Sequence, residues 1–81
     1  MILHVTEAKY LRDYVIWVRF NDGAVGEVNL AGELEGEVFG SLKEVSSFKS
    51  FKVDPEIGTI VWKNGADLAP EFLYDNLQIH A

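Results

Sequence analysis

The run Thr59-Ile60-Val61-Trp62, followed by Lys63-Asn64-Gly65-Ala66-Asp67-Leu68-Ala69-Pro70-Glu71, restricts the fold more tightly than any other stretch of the chain. β-Branched residues and a tryptophan favour an extended segment, and Asn64-Gly65 favours a reversal. Pro70-Glu71 suits a first helical turn, where the missing N–H is no loss and a carboxylate meets the positive end of the helix dipole. Asp67 is then the expected N-cap, accepting from the backbone N–H of Ala69 or Glu71 and contributing about 1 kcal/mol. The closing helix is expected from Pro70 to Leu77.

A second strong pattern lies upstream. Tyr14, Ile16, Val18 and Phe20 alternate with Val15, Trp17 and Arg19, and the run ends at Asn21-Asp22-Gly23. This is a strand entering a hairpin. Val25, Val28 and Leu30 suggest the returning strand, and Leu3 to Tyr10 a preceding one, giving a three-stranded antiparallel meander. The glycines and the alternate acids Glu33, Glu35 and Glu37 between Ala31 and Gly40 predict a solvated loop. Leu42, Val45, Phe48 and Phe51 recur every three residues and predict a short helix broken near Ser46-Ser47. Pro55-Glu56-Ile57-Gly58 predicts a second hairpin, since proline pre-sets φ and glycine accepts the left-handed position. The order β-β-β-α-β-β-α specifies an α+β domain with two or three short helices packed on antiparallel strands.

Length and composition limit the function classes. The 81 residues suit one domain, and 48% hydrophobic residues supply one core. With no cysteine, disulfides, thiolate catalysis and cysteine-based zinc sites are excluded. That absence suits a reducing cytoplasm, and no stretch approaches the roughly 20 apolar residues of a membrane span. Thirteen acids against 7 bases give a net charge of −6. Arg19, Lys43, Lys49, Lys52 and Lys63 form no continuous run, so direct nucleic-acid binding is not expected. A small basic protein partner matches the charge better.

Few residues invite chemistry. His4 and His80 lie near opposite ends without metal-ligand spacing, and the three alternate glutamates lack the arrangement of a calcium loop. Ser41, Ser46, Ser47 and Ser50 have no nucleophile-elbow context. No cofactor is expected. Trp62, Asn64, Asp67 and Tyr74 form a candidate ligand-binding set, with Asn64 and Asp67 beside helix amides that could hold an anion. Val15, Trp17 and Arg19 form a candidate interface, because large side chains on the second face of a sheet must be covered by a helix, a partner chain or a ligand.

The segment Val53 to Tyr74, with its Trp-x-Asn-Gly-Ala-Asp and Ala-Pro-Glu motifs, resembles the small bacterial family catalogued as domain of unknown function 2442. Tyr14 to Gly23 and Val38 to Phe48 extend the resemblance over nearly the whole chain. One departure is Lys63, where many members carry proline. The resemblance implies a compact α+β domain. Some members carry an added helix-turn-helix, which is not expected in a chain ending at Ala81. Some are encoded beside another small protein in what looks like a toxin-antitoxin arrangement.

Two readings follow from the residues and the resemblance together. The first is a non-enzymatic interaction module, the acidic partner of a small protein encoded nearby, with homodimerisation through the meander as a variant. The second is a small-molecule or anion-binding domain using the Trp62 to Tyr74 segment.

Overall fold

The computed structural model describes residues 2–78. Three strands, β1 (Val5–Arg12), β2 (Val15–Phe20) and β3 (Val25–Asn29), form an antiparallel meander, and β4 (Lys52–Asp54) pairs with β5 (Thr59–Val61) as a separate hairpin. Helices α1 (Gly36–Gly40), α2 (Val45–Phe48) and α3 (Pro70–Asp75) complete the α+β architecture, with 3-10 turns at Ala31–Glu33 and Ser41–Lys43. No helix among the described residues is long and apolar enough to cross a membrane.

The alternation in β2 works as the period-2 rule requires. Ile16, Val18 and Phe20 are buried, and they pair across the sheet with Tyr10, Ala8 and Val5 on one side. On the other side Ile16 faces Val28 and Val18 faces Gly26. The hairpin adds Ile60 and Trp62 to this core, and Leu30, Leu34, Leu42, Phe48 and Leu73 close it. Phe48 is the junction. Its ring packs edge-on against Tyr10 and Tyr14 of the meander and lies 6.0 Å from Trp62 of the hairpin. The Tyr14 hydroxyl donates to the Lys43 carbonyl, which fastens the 3-10 turn over the sheet.

One five-residue turn is used twice. In Phe20-Asn21-Asp22-Gly23-Ala24, Gly23 N donates to Phe20 O, Phe20 N to Ala24 O and Ala24 N to the Asp22 carboxylate. Trp62-Lys63-Asn64-Gly65-Ala66 repeats each bond, with Asn64 Oδ1 accepting from Ala66 N. The glycine has φ 89° in both, the left-handed value that closes a three-residue hairpin loop. Pro55 to Gly58 also turns as expected, with Gly58 at φ 71° and its N–H donating to Asp54 O.

Four expectations need correction. The Ala31 to Gly40 loop is instead a 3-10 turn and α1, drawn inward by buried Leu34. The next helical region breaks at Glu44, whose extended ψ of 117° separates two pieces, while Ser46 and Ser47 lie inside α2. The final helix stops at Asp75, because Gln78 turns out to exchange two backbone hydrogen bonds with Glu27 of β3. Gly26 leaves room for this: a Cβ there would sit 2.9 Å from Gln78 O. Finally, Asp67 is no cap. Ala69 occupies the N-cap position without a side-chain bond, and Asp67 forms a backbone bridge with Val61 instead.

Candidate functional site

Asn64 is committed to architecture. Its Oδ1 holds the turn, and its amide nitrogen donates to Val38 O and Ser41 Oγ, each at 2.9 Å, tying the end of α1 to the hairpin. Trp62 is buried, and its indole N–H donates to Phe48 O at 2.7 Å. The ring packs against Phe39, Phe48 and Phe51. Thr59, also buried, donates its hydroxyl to Leu68 O and draws the segment after the turn against β5.

Tyr74 lies elsewhere. Its ring stacks edge-on to Phe20 at 5.0 Å, and its hydroxyl donates to Asp22 Oδ2 at 2.8 Å, so α3 is fastened to the β2–β3 turn. The Ala24 N–H and then the Tyr74 hydroxyl hold the Asp22 carboxyl below its usual range, and accepting that bond, with its charge, Asp22 pushes the Tyr74 phenol up. A lowered carboxyl stabilises the fold above its unfolded value near pH 4 and loses that contribution as pH falls through the folded value. A raised phenol stabilises below about pH 10 and loses the contribution as pH rises through its folded value. Tyr74→Phe should therefore be less stable than the native chain at neutral pH, with the difference shrinking at both acid and alkaline extremes. Chemical denaturation across pH checks this, and a pH-independent difference would refute it.

The predicted ligand set therefore does not converge. A shallow depression does open beside Trp62 and Asn64, but neither Asp67 nor Tyr74 lines it. One part, of about 120 Å³, is bounded by Ser41, Ser47, Ser50 and Lys63. A neighbouring part of about 320 Å³ shares Ser50, Trp62 and Lys63 and is bounded also by Lys52 and Val61. Sequence reasoning missed Ser47, Ser50 and Lys52 here. The available signal was the cross-strand pairing of Lys52 with Val61, which sets Lys52 beside the Trp62 to Ala66 turn that carries Lys63.

The second candidate lies on the outer face of the meander. Val15, Trp17 and Arg19 share that face, with Trp17 between Lys9 of β1 and Glu27 of β3. Val15 is at the margin of burial, Trp17 is half-buried and Arg19 is exposed. Lys9 Nζ and Arg19 Cζ stand 5.3 and 5.4 Å from the Trp17 ring centroid. Glu7 pairs with both cations, and Arg12 with Glu27 at 3.1 Å. The chain itself covers part of the indole, with the Lys9 ammonium and the Arg19 guanidinium standing over its ring.

His4 borders Gly58, and His80 lies outside the described residues. Among the described residues no group of three His, Cys, Asp or Glu side chains is placed to hold a metal ion.

Comparison with known proteins adds a family and no more. No curated protein matches the chain, and no solved structure matches it. The sequence profile of the family described as "Protein of unknown function (DUF2442)" matches residues 5–78. With the meander, the β4–β5 hairpin and α1 to α3 inside that match, the chain belongs to this family.

Proposed function

We propose that the chain is a non-enzymatic protein-interaction module of the cytoplasm, and that its contact surface is the outer face of the meander. The observation supporting this reading is Trp17, a half-buried indole at the centre of a sheet face that carries both signs of charge. Tryptophan and arginine are the side chains that most often carry binding energy, and ion pairs around them set register rather than affinity. The partner is a small basic protein. A net charge of −6 raises its encounter rate through the field of the whole molecule, even though the local face is mixed. A gene pairing like that of some family members would make this chain the acidic, antitoxin-like partner of a small protein encoded nearby.

The test is co-expression with the product of the adjacent gene, followed by size-exclusion chromatography of the native chain and of Trp17→Ala. Co-elution with the native chain and an affinity loss of at least tenfold in Trp17→Ala are expected. Failure of the native chain to co-elute, or equal co-elution of the variant, would refute the reading. So would a homodimer that occupies the same face.

A further inference from the structure

The depression beside Trp62 has an electrostatic character opposite to that of the chain. Acids outnumber bases 13 to 7, yet Lys52 and Lys63 border this concavity, and no described Asp or Glu lines it. Neither lysine forms an ion pair among the described residues, whereas Lys9, Arg12 and Arg19 all do. Both lysines are exposed and line the same hollow. Two ammonium groups with no counter-ion, on one concave surface, attract an anion.

The rest of the lining narrows the class of anion. Ser41 and Ser50 spend their hydroxyl protons on Val38 O and Ser47 O, and the Asn64 amide is fully used. Among the lining side chains, free donors are thus limited to the two ammonium groups and the Ser47 hydroxyl. That is sparse for phosphate, which is usually held by converging backbone N–H groups or by a planar guanidinium. It is enough for a carboxylate. Val61 and Trp62 line the concavity with the lysines, and the one polar atom of the Trp62 side chain is already bonded to Phe48 O, so these two side chains offer carbon alone. The larger part, at about 320 Å³, reaches the lower end of the size range of ligand sites.

We infer that this depression is a binding site for a carboxylate attached to a flat apolar body, with Lys52 and Lys63 on the carboxylate and Val61 and Trp62 beneath the body. The site is separate from the outer sheet face and does not depend on that surface having a partner. A free aromatic acid and the C-terminus of a peptide ending in an aromatic residue share this chemistry.

Amide and indole NMR shifts, followed during titration, test it. The probes are benzoate, its neutral isostere benzamide, inorganic phosphate, and Gly-Gly-Phe with a free or an amidated C-terminus. Saturable shifts centred on the Trp62 indole and the Lys63 and Asn64 amides are expected with benzoate or with free Gly-Gly-Phe. The tighter of the two identifies the source. Lys52→Gln/Lys63→Gln should bind about tenfold more weakly, and both single variants should fall between. Equal shifts from benzamide or from the amidated peptide would overturn the carboxylate assignment in the native chain, whatever the variants do. Equal binding of phosphate would overturn the apolar floor, and unchanged affinity in the double variant would overturn the site.

Discussion

Phe48→Ala is expected to cost about 3–5 kcal/mol, the range for truncating a buried phenylalanine, and to leave the chain largely unfolded at 37 °C. Phe48 is fully buried, and its ring meets Tyr10, Tyr14, Phe51 and Trp62 at centroid distances between 5.3 and 6.4 Å. No other side chain among the described residues joins the meander to the hairpin through so many ring contacts. Small domains are stabilised by roughly 0.05–0.15 kcal/mol per residue, so the loss is comparable to the whole stability of a chain this short. Circular dichroism through a thermal ramp reads the outcome directly. A variant that unfolds cooperatively within a few degrees of the native chain would show that the two sheets are held together by something other than this cluster.

Gly58→Val should cost about 2–4 kcal/mol through two separable effects. Its φ of 71° lies in the left-handed region, where a β-branched residue is strained by more than the usual 1–2 kcal/mol. A Cβ there would also stand 3.0 Å from both Cβ and Nδ1 of His4. That crowding falls where Val5 N donates to Gly58 O at 2.8 Å, the hydrogen bond that ties the start of β1 to the hairpin. Gly23 provides the control, having φ 89° and open space around its Cβ position. Gly23→Val should show the backbone strain without the clash. If denaturant midpoints place the two variants together, His4 yields freely and the link between the sheets is softer than argued.

The sequence made the strands legible because their signals are local. Alternation in Tyr14 to Phe20 and the Asp22-Gly23 and Pro55 to Gly58 turns are each decided by neighbours in the chain, and all are found. The helical region misleads for the opposite reason. Leu34 sits among glycines and glutamates, so nothing nearby reveals that it is buried at 2% exposure, and only the assembled core draws Ala31 to Gly40 into ordered turns. Asp67 was the natural cap by spacing alone, but the bridge to Val61 and the bond from Thr59 to Leu68 O hold the chain extended until Ala69. Tertiary pairing overrode a preference worth about 1 kcal/mol.

The candidate site was less legible, because its parts come from distant segments. Trp62 and Asn64 stand out in the sequence for reasons that prove architectural: one donates to Phe48 O and the other pins α1 to a turn. Lys52, Ser47 and Ser50 carry no motif and acquire meaning only where the end of α2, β4 and the Trp62 turn meet. Trp17 was readable as an outward residue from alternation. Its flanking by Lys9 was not, since that requires the register between β1 and β2.

The central claim is that the family's most recognisable segment is architecture, so the two tryptophans should behave differently under the same conservative change. Trp62→Phe deletes the donor to Phe48 O and leaves a buried carbonyl unsatisfied, at a cost of about 1–3 kcal/mol before any loss of packing. Trp17→Phe keeps an aromatic ring on a half-exposed face, and surface changes of this kind usually stay within about 0.5 kcal/mol. Equilibrium urea unfolding of both variants, followed by circular dichroism, decides the matter. The account predicts a clear drop in midpoint for Trp62→Phe and a near-native midpoint for Trp17→Phe; equal midpoints, or the reverse order, would contradict it.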